Sequence, residues 1–206
     1  MKFCKQIFPV PMALLCLSFS FITRAQEASA GVPVFKISTD ASRVTFAVKA
    51  SVPIEGHFDK WNATLTFTST DLSTGVLDIK IDAASVNTGS SIKNNKLKSE
   101  DFFDTKSNPY ITFHSTKGGV QTGPNTVEVP GTFTIRGVSR PETLIIAIGK
   151  QTATHETGEI KGIGVFDRKE YGMNSGVPFI KIADRVEVSV DLKGERVSGP
   201  PIAVKR

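Results

Sequence analysis

Residues 96–115 read KLKSEDFFDTKSNPYITFHS. The segment starts as a lysine-rich polar connection and sets Phe102 and Phe103 side by side among acidic residues. It then turns at Asn108-Pro109 into the run Tyr110-Ile111-Thr112-Phe113-His114-Ser115. The alternation places Ile111 and Phe113 on one face of an extended strand and Thr112 and His114 on the other. That reading fixes the element type, and the same period recurs through nearly the whole chain.

Val44, Phe46 and Val48 share one face, as do Ala63, Leu65 and Phe67, then Leu77, Ile79 and Ile81. Val127, Val129, Phe133 and Ile135 continue the pattern, followed by Leu144, Ile146 and Ile148. Ile160 and Phe166 come next, then Val186, Val188, Val190 and Leu192. The positions between are mostly polar, as in Thr64-Thr66-Thr68, Asp78-Lys80-Asp82 and Arg185-Glu187-Ser189-Asp191. One apolar and one wet face per strand is the pattern of antiparallel sheet. Turn signals at Ser73-Thr74-Gly75, Gly118-Gly119, Gly123-Pro124-Asn125 and Thr157-Gly158 separate about eight or nine strands. Helical character is confined to residues 90–99, where Ile92 and Leu97 interrupt a polar run.

Amphipathic strands in this number build either a sandwich or a closed barrel. Closure removes exposed edges, and an eight-stranded barrel has room for one small ligand. Gly162 and Gly164 lie in line with Ile160 and Phe166 and fit the tight bends of a barrel, but equally a bulge in a sandwich. The periodicity alone leaves both architectures open.

The 206 residues suffice for one domain with a sizeable core. Residues 1–30 have the form of a secretory signal: Lys2 and Lys5, an apolar stretch over 7–22, and small residues for cleavage after Ala25 or Ala30. An uncleaved anchor fits less well, because the stretch contains Pro9 and Pro11 and is short of the roughly 20 residues of a bilayer span. Cleavage removes Cys4 and Cys16, so the mature protein holds no disulfide, thiol nucleophile or thiolate metal ligand and depends on its core for stability. Cutting after Ala25 also removes Lys2, Lys5 and Arg24, reducing the formal charge from +5 to +2. Basic and acidic residues are interspersed, without an aromatic platform, which argues against a nucleic-acid partner. The expected organisation is a signal at 1–30, a domain at 31–196 and a loose tail at 197–206, in a periplasmic or secreted protein.

Candidate chemistry is sparse. His57, His114 and His155 have no ligand-type spacing, and His114 falls on the polar face of its strand, so no metal or other cofactor is expected. Neither a Gly-x-Ser-x-Gly elbow nor a phosphate loop occurs. Asp101 and Asp104 flank the Phe pair as an acid and base would, but helix capping and loop solvation account for them at lower cost. The sequon Asn62-Ala63-Thr64 lies in a strand. Lys93, Lys96 and Lys98 form either a solvated face or a positive rim beside the Phe pair, suited to an anionic head group.

Three blocks together resemble the YceI-like family. The first comprises Ser85-Val86-Asn87-Thr88, then Leu97 to Asp104, then Asn108-Pro109-Tyr110-Ile111-Thr112-Phe113. The second runs from Gly131 to Pro141, and the third from Gly164 to Met173 with Arg168 and Tyr171; Gly56-His57-Phe58 also fits. The resemblance covers about Val34 to Glu195. It implies an all-β fold, an antiparallel eight-stranded lipocalin-like barrel with one short helix in a connection. It also implies a binder of polyisoprenoids or other lipids in a long internal pocket, not an enzyme. Lys93-Asn94-Asn95-Lys96-Leu97 lacks the arginine-aspartate pair and histidine often found in the family, so a head-group contact there is not expected.

On that resemblance, the ligand-binding residues expected along the lumen are Phe46, Val48, Phe58, Ile79, Ile81, Phe113, Phe133, Ile146 and Phe166, with Leu97, Phe102 and Phe103 at one end. The expected ligand is an isoprenoid, isoprenoid quinone or fatty-acid-like lipid. The alternatives are an enzyme acting on an apolar substrate in the same pocket, or sequestration of hydrophobic antibiotics. Transient membrane contact and a homodimer stay open as further partnerships. If Phe103 faces a cavity mouth, Phe103→Asp weakens ligand retention more than it lowers the melting temperature.

Overall fold

The computed structural model describes residues 31–151, 157–176 and 181–202; the expected signal at 1–30 and His155 fall outside them. In chain order the strands are β1 (Val34–Ile37), β2 (Arg43–Ala50), β3 (Ile54–Phe58), β4 (Trp61–Thr66), β5 (Val76–Asp82) and β6 (Val86–Asn87). After the helix α1 (Ser91–Lys98) come β7 (Tyr110–Ser115), β8 (Val120–Gln121), β9 (Thr126–Ile135), β10 (Val138–Gln151), β11 (Thr157–Asp167) and β12 (Ile182–Ser198).

These twelve strands form one sheet, but they are arranged as eight staves. β1 and β2 follow one another along the same edge of β12, pairing with its 194–198 and 182–191 portions. β3 and β4 form the second stave: β3 runs against β2 and β6, β4 against β1 and β5. β5 and β6 form the third, and β7 and β8 pair with successive parts of β9 as the fourth. β9 to β12 are continuous strands, each antiparallel to the next. The β1–β12 pairing closes the ring. The expected closed eight-stranded antiparallel barrel with one short helix is therefore observed. More strand segments occur than the eight or nine read from turn signals, because the first four staves are each interrupted. At one corner, a 3₁₀ turn at Ala83–Ser85 is opened by Asp82, whose side chain accepts from the Ala84 amide. Bonds from Asp82 N to Lys60 O and from Asp59 N to Ser85 O carry the ladder past it.

The β9–β10 hairpin shows how the sequence sets local geometry. Arg136 and Gly137 both have positive φ, 51° and 72°, as a two-residue type I′ turn requires. Arginine is a poor choice for that conformation, but its guanidinium donates to the Gly172 carbonyl and fastens the hairpin to the chain after β11. α1 begins at Ser90, whose hydroxyl accepts from the Lys93 amide. Asn94 Oδ1 holds it to the preceding segment by accepting from both the amide and the hydroxyl of Thr88, each at 2.8 Å.

Inward-facing side chains from all staves join one buried apolar cluster. Two inward glycines make room for it. A Cβ on Gly131 would lie 2.6 Å from Phe113 Cε2, and one on Gly164 would lie 2.7 Å from Leu144 Cδ2. The neighbour that fills the space at Gly164 is a leucine. β12 continues to Ser198, past the expected domain end at 196, because Phe35 and Val34 offer pairing partners to Arg196 and Ser198.

Candidate functional site

The segment after α1 doubles back on the helix. Phe103 N donates to Leu97 O, Thr105 N to Lys98 O, and Asn108 N to Asp104 O. This folds both phenylalanine rings inward, and both are buried. With Leu97 they cover one end of the barrel and line an apolar cavity of about 60 Å³. Phe46, Val48, Phe58, Ile81, Phe133 and Phe166 form its walls, so nine of the twelve lining residues read from the sequence meet there. The rings are in register: Phe46 lies 5.6 Å from Phe58, and Phe133 6.3 Å from Phe166.

Ile54, Ile111, Ile135, Arg168, Met173, Ile182, Val186 and Val188 also line this cavity and were not among the expected residues. Val186 and Val188 were legible as inward positions by their alternation. Arg168 was not, because a charged residue does not announce itself as a wall. Its side chain is only 8% exposed. Nη2 stands 3.1 Å from Asp184 Oδ1, Nε donates to Ala183 O at 3.2 Å, and Nη1 donates to the carbonyls of Met173 and Ser175. With these partners the guanidinium fastens this end of the barrel.

Polar links continue around this end. Asp101 pairs with Lys96 of α1 and accepts from Ser175 Oγ at 2.9 Å. Lys169 Nζ reaches Asp184 Oδ2 at 2.8 Å. The bonds from Lys96 and Ser175 hold the Asp101 carboxyl below the usual carboxylate range. Lys169, and then Arg168, do the same for Asp184. Helix α1, the 101 loop, the 175 loop and the start of β12 are thereby tied together. Asp101 and Asp104 do not form an acid–base pair: Asp101 is engaged as described, and Asp104 accepts from Asn108 Nδ2. Neither caps the helix, which Ser90 does.

The Gly131–Pro141 and Gly164–Met173 blocks meet in the wall beside the mouth. β10 pairs with β11 from Gln151 to Ile145. Beyond that point the fully buried Tyr171 packs edge-on against Phe166 at 5.1 Å, and its hydroxyl donates to Glu142 Oε1 at 3.4 Å. Burial pushes the Glu142 carboxyl up. Burial, and then the Glu142 charge, push the Tyr171 phenol well above its ordinary value.

A second apolar cavity, about 120 Å³, occupies the opposite end. Phe35, Ile37, Leu65, Phe67, Leu77, Ile148, Ile160 and Leu192 line it together with Ile146, and Ile202 of the expected loose tail packs there as well. The expectation of one continuous lining is therefore corrected. Ile146 belongs to the distal cavity, and Ile79 and Phe113 line neither. Those two lie in a packed layer between the cavities, where inward side chains from facing staves interlock.

Among the described residues no group of three or more His, Cys, Asp or Glu is placed to hold a metal. His57 pairs with Asp59 at 3.0 Å and His114 with Asp78 at 2.5 Å, both on the outside of the barrel. No described helix is long and apolar enough to cross a membrane.

A family model described as the YceI-like domain matches residues 35–194. A UPF0312 protein of Pseudomonas aeruginosa is 24% identical over 190 residues, 90% of this chain and 97% of that protein. A UPF0312 protein of Staphylococcus aureus is 30% identical over 125 residues, 59% of this chain and 70% of that one. Among solved structures, BcnA of Burkholderia cenocepacia matches with a TM-score of 0.68 and 26% identity, covering 77% of this chain and 99% of BcnA. A polyisoprenoid binding domain from Saccharophagus degradans, implicated in plant cell wall breakdown, has the same fold, with a TM-score of 0.61 at 19% identity over 80% of this chain and 99% of that domain.

Proposed function

The chain belongs to the YceI-like domain family, and from that premise we propose that it binds a long-chain amphiphile, such as an isoprenoid or a fatty-acid-like lipid, with the apolar chain inside the barrel. The observation that carries this reading is the convergence of Leu97, Phe102 and Phe103 with six wall residues on one apolar cavity. Each CH₂ moved from water into such a lining contributes on the order of 0.8 kcal/mol, so a chain of ten groups outweighs any rim contact. The S. degradans domain, whose ligand is a polyisoprenoid, uses the same barrel. The mouth cavity, about 60 Å³, is smaller than the roughly 150 Å³ void that takes up benzene. Chain entry therefore goes with movement of the rings that line it. The N-terminal sequence supports a place of action in the periplasm or outside the cell, where such a barrel carries, stores or sequesters its ligand.

Native mass spectrometry of the purified protein, followed by organic extraction, tests the reading. A copurifying long-chain molecule, or stoichiometric loading with farnesol or palmitate, is the expected result. A barrel that arrives empty and takes up neither probe overturns it.

A further inference from the structure

We propose that the mouth end of the barrel docks on the surface of an anionic phospholipid bilayer, through the β2–β3 turn and the start of α1. The inference goes beyond the lipid reading, because docking needs no ligand inside the barrel.

Two apolar side chains stand out into solvent at this end. Ile92, in the first turn of α1, is 81% exposed, and Val52, in the β2–β3 turn, is 53% exposed. Both belong to the mouth. Val48 and Ile54, on either side of the turn, line the mouth cavity, as does Leu97 of α1. A groove with Glu55, Gly56 and His57 on one side and Asn87, Thr88 and Gly89 on the other brings the chain entering α1 alongside β3. The turn is held in place: Ser51 N donates to Lys181 O at 3.0 Å, and Lys181 N donates to Ser51 Oγ at 3.2 Å.

Charge is layered behind these tips. On the outward face of the barrel Glu187, Ala47 and Glu55 stand abreast on β12, β2 and β3. Two residues nearer the mouth on β2 the outward residue is Lys49. Lys181 is bonded to the residue before Val52, and Lys93 follows Ile92 in the chain. All three lysines are exposed, and among the described residues none of them forms an ion pair. Other charges at this end offset one another. Arg185 faces Asp167 across the β11–β12 pair, Asp101 pairs with Lys96, and Asp184 with Arg168 and Lys169. Lys98 and Glu100 lie together past the far end of the patch. Towards the mouth the order is therefore acid, base, apolar tip.

That order matches a bilayer with anionic head groups, which offers phosphates to the lysines and acyl chains to the tips. A nucleic acid would engage the lysines and leave Val52 and Ile92 in water. The opposite end lacks the pattern: Lys36 and Lys193 share a cleft there with Asp40, Glu159 and Glu195.

The test is sedimentation of the protein with vesicles of phosphatidylcholine and phosphatidylglycerol in equal parts, against vesicles of phosphatidylcholine alone. Binding to the mixed vesicles should be at least about fivefold tighter and should weaken as salt is raised from about 50 to about 300 mM. Lys49→Glu, Lys93→Glu, Lys181→Glu together, and separately Val52→Asp with Ile92→Asp, should each weaken it about tenfold or more at an unchanged melting temperature. Ile145→Asp with Ile163→Asp, two exposed residues paired on the outer wall, should leave it unchanged. Equal binding to the two vesicle types overturns the proposal. So does binding that none of the mouth substitutions weakens, as attachment through residues 1–30 would give. A loss confined to the lysine variant means a surface for polyanions and overturns it as well, as does an equal loss in the outer-wall variant. Vesicle binding by a barrel that takes up no lipid leaves this inference standing while the lipid reading falls; a lipid-loaded barrel that ignores the vesicles does the reverse.

Discussion

The ring of Phe103 lies 6.0 Å from that of Phe58, tilted by 48°. Phe103 is therefore both a wall of the mouth cavity and part of the central core, whereas Phe102 lines the cavity without joining the central cluster. Phe103→Asp buries an unpaired carboxylate beside Phe58, so stability and retention fall together rather than retention first. Phe103→Ala should cost about 3–5 kcal/mol in urea denaturation, with a smaller loss for Phe102→Ala. Equal costs for the two would mean that Phe103 does not pack as described.

Arg168→Met should destabilise by about 3–5 kcal/mol. It leaves the carbonyls of Ala183, Met173 and Ser175 without their donor and Asp184 with Lys169 alone. Arg168→Lys should recover little, since one ammonium cannot reproduce a planar fork bonded in several directions. Full recovery by lysine in the same denaturation measurement would show that only the charge matters.

Gly131→Ala should cost about 1–3 kcal/mol by overpacking. Its new methyl meets the Phe113 ring and the backbone carbonyl of His114, 2.7 Å away, and the carbonyl cannot swing aside. A variant with an unchanged melting temperature would refute this packing.

Acid should loosen the mouth before the barrel. Asp101 and Asp184 have folded-state pKa values lowered from 3.8. Their contribution is present in full above the unfolded value and is lost as pH falls through the folded values. As pH falls below about 4, hydrogen exchange should therefore rise first at residues 96–105 and 168–175. The Asp101→Asn, Asp184→Asn variant should show that exchange already at pH 6, and identical profiles for the two proteins would exclude these carboxylates as the ties.

Glu142 has the opposite sign. Its folded-state pKa is raised by burial, so ionisation at neutral pH opposes folding. Glu142→Gln, which still offers Tyr171 an acceptor, should melt at or above the wild type at pH 7. The difference should vanish below about pH 4, where the wild-type carboxyl is neutral in both states. A lower melting temperature at pH 7 would show that the charged acceptor outweighs its desolvation.

Much of this protein was legible in the chain. Alternation in segments such as Tyr110–Ser115 and Val186–Leu192 marks which residues face inward, because the strand period is two and a single slip would turn the whole apolar face to water. The polar run 90–99 marked the helix, and the Phe pair marked the end of the barrel that it covers. Periodicity also put Phe113 and Phe133 on the same inward face.

What alternation does not encode is height along the barrel axis and who stands across the lumen. Phe113 and Phe46 carry the same inward signal, yet one plugs the lumen and the other lines a cavity. The difference comes from Gly131, which lies on a neighbouring strand and leaves room for the Phe113 ring. Arg168 was hidden for a similar reason: its partners Met173, Ser175, Ala183 and Asp184 gather only when the chain after β11 folds back over the mouth. Local sequence determined the strands, the helix and their inward faces, because these follow from backbone period and side-chain polarity. Tertiary structure alone decided that the lumen is two cavities and not one, because that depends on which side chains from distant staves meet at the same level.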